Sequence, residues 1–151
     1  MSLEHLIKEL ESYISEGNVQ VNSVSERGVD WHIDHSLKVI INISKAFIKS
    51  DESNYKWKFN FLRLYCLTLG YFPRGKGKAP KVVNNKEKIA IEDLNTQVAT
   101  AKEIIKELSG LNNKKNFQHL YFGLLNLKQG KRFLGVHTNH HIKIIKDILN
   151  H

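Results

Sequence analysis

The feature that most constrains this chain is a pair of histidines set into an apolar helical stripe near its C-terminal end. Projected at 3.6 residues per turn, residues 127 to about 149 place Leu134, His137, His141, Ile144 or Ile145, and Ile148 on one face. That face must turn inward, because it carries the apolar side chains. It therefore takes two imidazoles into the interior, where each unpaired polar group costs on the order of 1–3 kcal/mol. Any fold of this chain has to supply those rings with partners. The start of the segment is marked as well, since Asn126 and Gln129 have the spacing of a capping box.

The remaining pattern is helical. Ser2 is placed to cap a first helix through Leu3, Leu6, Ile7, Leu10 and Ile14 that stops at Gly17. A polar stretch follows over residues 18–28. Asp30 is then placed to cap a second helix over 31 to about 50, so thoroughly apolar that it suits an inner position. A third helix is expected over about 55–69, ending at Gly70. A fourth, over about 91–109, carries Leu94, Val98, Ala101, Ile104, Ile105 and Leu108 on one stripe. No segment reads as a strand. Pro73, Gly75, Gly77 and Pro80 forbid regular structure across residues 70–81, a connection long enough to hint at a crossover. An all-α bundle, one domain over residues 1–151, is the expected fold.

Composition excludes several classes. A hydrophobic content of 41% is ordinary for a folded soluble domain and too high for a disordered one. The lone Cys66 allows no internal disulfide and sits in an apolar run, so a buried, inert thiol is expected. No stretch approaches the roughly 20 apolar residues of a spanning helix. Glu4, Glu9 and Glu11 break up the first dozen positions, and the reducing cytoplasm is the expected compartment. The net charge of +8 invites a nucleic-acid reading. Much of the excess is local, however: residues 71–88 carry six basic residues and one acid, without the interleaved aromatics of a base-stacking surface. Neither a nucleic-acid nor a membrane partner is expected.

Of eight histidines, five gather in two groups, His32 with His35 and His137 with His140 and His141. His137 and His141 stand one turn apart, a spacing that lets two imidazoles meet one ion at about 2.0–2.1 Å each. His35 shares a stripe with Val39, Ile43 and Ala46 that can face the same interior. Two helices then offer three neutral nitrogens and leave a position open for water or substrate, as in catalytic sites. Against this stands the bland alternative, in which each ring is a hydrogen-bonded core or surface histidine; periodicity alone leaves the two about even. His32 and His140 fall off the best stripes, as surface residues or as support behind the ligands, with His140 the alternative ligand. His5 and His151 read as surface.

A tryptophan-led helix with one histidine, followed much later by His-x-x-His-His, resembles the DinB/YfiT-like superfamily of metalloenzyme bundles. The fuller resemblance is to a branch of unknown function. It rests on Trp31 to His35, on the basic element from Phe72-Pro73-Arg74-Gly75-Lys76 to Lys81, on His119-Leu120-Tyr121-Phe122-Gly123, and on His137-Thr138-Asn139-His140-His141. Leu120 departs from the proline usual at that position, which bears on the local turn. The resemblance implies a four-helix bundle with a long crossover loop and a metal triad of His35, His137 and His141. It also implies a divalent ion, zinc or nickel first and iron or another next, and a thiol-dependent transferase or hydrolase acting on a small molecule whose identity the sequence does not reveal. His140 and Asp34 are the nearest residues for acid–base work, and Arg74, Lys76 and Lys78 are placed to hold an anion. The alternative is a non-catalytic metal-binding or stress-response module, for which a homodimer is one assembly.

Overall fold

The computed structural model describes residues 2–72 and 88–151. The expected crossover and its basic residues Arg74, Lys76, Lys78 and Lys81 lie outside the described residues. The chain is mostly helical. Helix α1 (Leu3–Ser12) is capped by Ser2, whose hydroxyl accepts from the amide of His5, and it buries Leu6, Ile7 and Leu10. It stops earlier than Gly17, giving way to a 3₁₀ turn over Ile14–Glu16. Helix α2 (Val29–Lys49) begins two residues before the expected start, with Gly28 at its cap. Asp30 is instead inside the first turn, where its carboxylate accepts from the amides of Trp31 and Ile89. An acid there also sits favourably against the positive end of the helix.

Two expectations need correction. Helix α3 (Phe61–Leu69) is shorter than the sequence suggested, because Asn60, itself extended, caps it by accepting from the Arg63 amide, and residues 55–60 are in no helix. The expectation of no strands also fails: β1 (Asn116–His119) and β2 (Gly123–Asn126) form an antiparallel hairpin in which Phe117 faces Leu125 and His119 faces Gly123. Gly123 has φ of 69°, a left-handed conformation that glycine adopts without strain. Helix α4 (Ile91–Ser109) buries the expected stripe unchanged, and α5 (Leu127–Leu149) starts at the expected capping box.

Helix α2 packs on α4 and α5, and α1 packs on the same two helices. One core runs through all four, with Ile33, Leu37, Ile40, Phe47, Leu94, Leu108, Leu134 and Ile142 fully buried. The inner position expected for α2 is therefore realised. Among the described residues no helix is long and apolar enough to cross a membrane. Cys66 is buried, as expected, and burial pushes its thiol pKa up.

Near its start, α5 approaches α2 so closely that a methyl group at Gly130 would lie 2.1 Å from the Phe47 ring, which is itself fully enclosed. Gly135, one and a half turns later, has open space where its Cβ would be. The same substitution should therefore act with opposite signs. Gly130→Ala is expected to destabilise the protein by about 1–3 kcal/mol through overpacking. Gly135→Ala should stabilise it by up to about 1 kcal/mol through helix propensity. Urea unfolding of both variants measures the difference.

Candidate metal centre

The pairing of α2 with α5 carries the histidines to one place. His35 comes from the second turn of α2, and His137 and His141 come from successive turns of α5. One ring nitrogen from each lies within 4.8 Å of those from the other two. The three sequence-expected ligands are thus brought together, close enough to share one metal ion. His35 and His141 are buried; His137 is partly exposed, although its Nδ1 is sealed from solvent with no hydrogen-bond partner.

The Nε2 atoms of His35 and His137 stand 3.3 Å apart. Two nitrogens bound at about 2.05 Å to one tetrahedral ion would be separated by about 3.3 Å. A direct N–H···N bond at that distance would be a long one. The donor set is all imidazole, and such rings suit a divalent transition ion. On both counts the residues fit a metal.

The surroundings hold the rings in place. Trp31 lies flat on His35, with centroids 4.7 Å apart and planes 8° from parallel. Phe133 flanks His137 at 5.6 Å. Behind His141 lies a residue that the stripe analysis set aside. His32 is buried, its Nδ1 stands 2.9 Å from Nδ1 of His141, and its Nε2 stands 3.0 Å from the Ser25 hydroxyl. Of the two roles left to His32, surface or support behind the ligands, the structure selects support. The available signal was its spacing. His32 and His35 are three residues apart, so they are neighbours on one helix surface.

The other expected residues are placed apart from the triad. His140 is half-buried, its ring edge-on to His141 and near Phe72, and its nitrogens are not among the three that converge. Asp34 is buried, and its oxygens accept from Lys38 and from Gln97 of α4. His119 serves its own turn, accepting at Nδ1 from the amides of Tyr121 and Phe122. Leu120 is the exposed tip of that turn, so the turn closes around His119 without a proline. His5 is exposed, and His151 is exposed while paired with Ser23. Two surface clefts, one along Gly28 and Trp31 and one along Asp34 and Gln97, are lined by none of the three histidines.

Electrostatics keep His137 and His141 neutral. Burial holds the pKa of His137 well below the ordinary 6.5, and the nearby rings of His35, His140 and His119 push the same way. His141 is depressed first by burial and then by His137, His35, His32 and His140. Burial lowers His119 to about 4. Neutral imidazole is the form that binds metal, so these rings need shed no proton to do so. Comparison of the chain with family models, with curated proteins and with solved structures returns no match.

The depressed values set a pH dependence. In the unfolded chain His137 and His141 titrate near 6.5, whereas in the fold they stay neutral well below that. Below pH 6.5 the unfolded state therefore binds more protons, and stability is undiminished above that pH but falls as the pH drops beneath it. The urea midpoint of metal-free protein should be lower at pH 5 than at pH 7.5. An equal midpoint at both would contradict the burial of neutral rings.

Proposed function

We propose that this chain is a metal-dependent enzyme of the DinB/YfiT-like four-helix type, with His35, His137 and His141 as ligands of one divalent ion. The observation that carries this reading is the convergence of three histidine ring nitrogens from two helices, with one pair at the separation a shared ion requires. An all-imidazole set suits zinc, nickel, iron and copper alike; zinc or nickel, with iron or another ion next, is what the resemblance implies. With three protein ligands, such an ion would leave a position open, and when bound it would supply an acidified water or a polarised substrate thiol or carbonyl. A thiol-dependent transfer or a hydrolysis is the reaction class this supports.

The chain's own residues prepare that chemistry. For His141 to offer Nε2, its Nδ1 must carry the proton and donate it to Nδ1 of His32. His32 then holds its own proton on Nε2, toward the Ser25 hydroxyl. Ser25, His32 and His141 form a line of hydrogen bonds that selects one tautomer and orients the ligand ring. Trp31 fixes the plane of His35 by stacking, and Phe133 limits the swing of His137.

Elemental analysis of untagged protein tests the site, and a thiol-conjugation and hydrolysis panel with and without chelator tests the reaction. Stoichiometric metal is expected in the wild type, with loss of uptake in His137→Ala and His141→Ala. His32→Ala should weaken metal affinity by about 10–100-fold, the usual effect of removing a ligand's orienting partner. Wild-type protein that takes up no zinc, nickel, iron or copper would exclude the site. Metal-bound protein without chelator-sensitive turnover would point to a non-catalytic binding module.

A further inference from the structure

Helix α3 is built inside out. Its only charged residue, Arg63, is 6% exposed, whereas Phe61 is 70% exposed, and Leu64, Tyr65 and Leu69 are also open to solvent. Polar contacts explain how such a helix is held. The Arg63 guanidinium donates to the carbonyls of Phe122 and Leu124 on the hairpin and of Lys58 before the helix. Asn60 donates to the Tyr121 carbonyl, and Arg132 of α5 donates to the carbonyl of Leu67. With its polar groups spent on attachment, α3 turns its apolar side chains outward. Phe61 and Tyr65 stack along that face, and the hairpin tip, with Leu120 78% exposed, is tied beside it.

We propose that this face is the interface of a symmetric homodimer of the chain. Size is the first argument. An aromatic side chain offers about 150–250 Å². Phe61 and Tyr65, with Trp57, Phe59 and Tyr71 flanking the helix in sequence and Tyr121 on the hairpin tip, are about half to 70% exposed, which leaves roughly 500–900 Å² uncovered before the exposed leucines are added. That is the share each partner contributes to a stable complex, and more apolar surface than a monomer usually leaves open.

Charge is the second argument. The chain carries +8, so two copies repel one another over most approaches. The outward face of α3 itself has no charge, which suits self-association about a twofold axis, where each residue meets its own copy or a near neighbour. Lys56 and Lys58 are exposed beside Trp57 and Phe59 at its edge, in keeping with a polar rim around an apolar centre. The chain's own residues 73–87 do not match this surface in composition, since they include no aromatic residue, leucine or isoleucine.

Sedimentation equilibrium of the full chain at low micromolar concentration tests the proposal. The wild type is expected to be a dimer. Phe61→Lys and Tyr65→Lys, separately and together, should raise the dimer dissociation constant at least 100-fold. Both positions are exposed, so the helical circular dichroism and metal uptake should be unchanged, and the single variants provide the test should the double variant lose helix. None of the three metal-site histidines lies on this face, so failure here is distinct from failure of the metal reading. A monomeric wild type, or a dimer indifferent to the single variants, would overturn the proposal. So would a monomer that cosediments with anionic phospholipid vesicles through these side chains.

Discussion

The close seating of α5 on α2 is the interaction on which the rest of the structure depends. Gly130 lets the two helices meet with the Phe47 ring between them, where even a methyl group has no room. Farther along the same pair of helices, the seam turns from apolar to imidazole, with His35 opposite His137 and His141. The geometry of the histidine cluster is therefore an outcome of core packing. Interiors are packed as densely as organic crystals, so the ring separations are set by the helices that carry them and have little freedom to drift.

Burying four imidazoles side by side opposes folding unless the rings stay neutral and find partners. The surroundings supply both conditions. Desolvation and mutual repulsion disfavour protonation of His137 and His141. His32 and Ser25 give His141 a hydrogen-bonded line of its own, and Trp31 covers His35. What is left is three ring nitrogens close enough to share one ion, with His137 and His141 held in the neutral form in which imidazole binds a metal. The same burial that makes the cluster costly for a bare chain makes it ready for a metal.

The opposite economy governs α3. There the buried group is an arginine satisfied by three backbone carbonyls, while the aromatic side chains are left in water. A hydrophobic pattern read along the chain cannot separate this from an ordinary packed helix, because Phe61, Leu64 and Tyr65 look like core residues. The hairpin is hidden for a related reason. Its two strands are four residues each, too short for alternation to show, and they exist because their pairing and Arg63 satisfy their backbone groups. His32 was set aside for its position on a stripe, yet a partner on another helix gave it a place behind His141.

By itself, the sequence determined where the long helices lie, which stripe of α4 and α5 turns inward, the capping box at Asn126, and that His137 and His141 share an inward stripe. These follow from local periodicity and side-chain chemistry, which act over a few turns and are written in residue order. Only the tertiary structure decided the hairpin, the late start of α3, its outward apolar face, and the line from Ser25 through His32 to His141. Each of these depends on which backbone and side-chain groups meet across more than fifty residues of chain or between different elements. Such meetings are settled by hydrogen-bond satisfaction in the assembled core, and no period in the sequence encodes them.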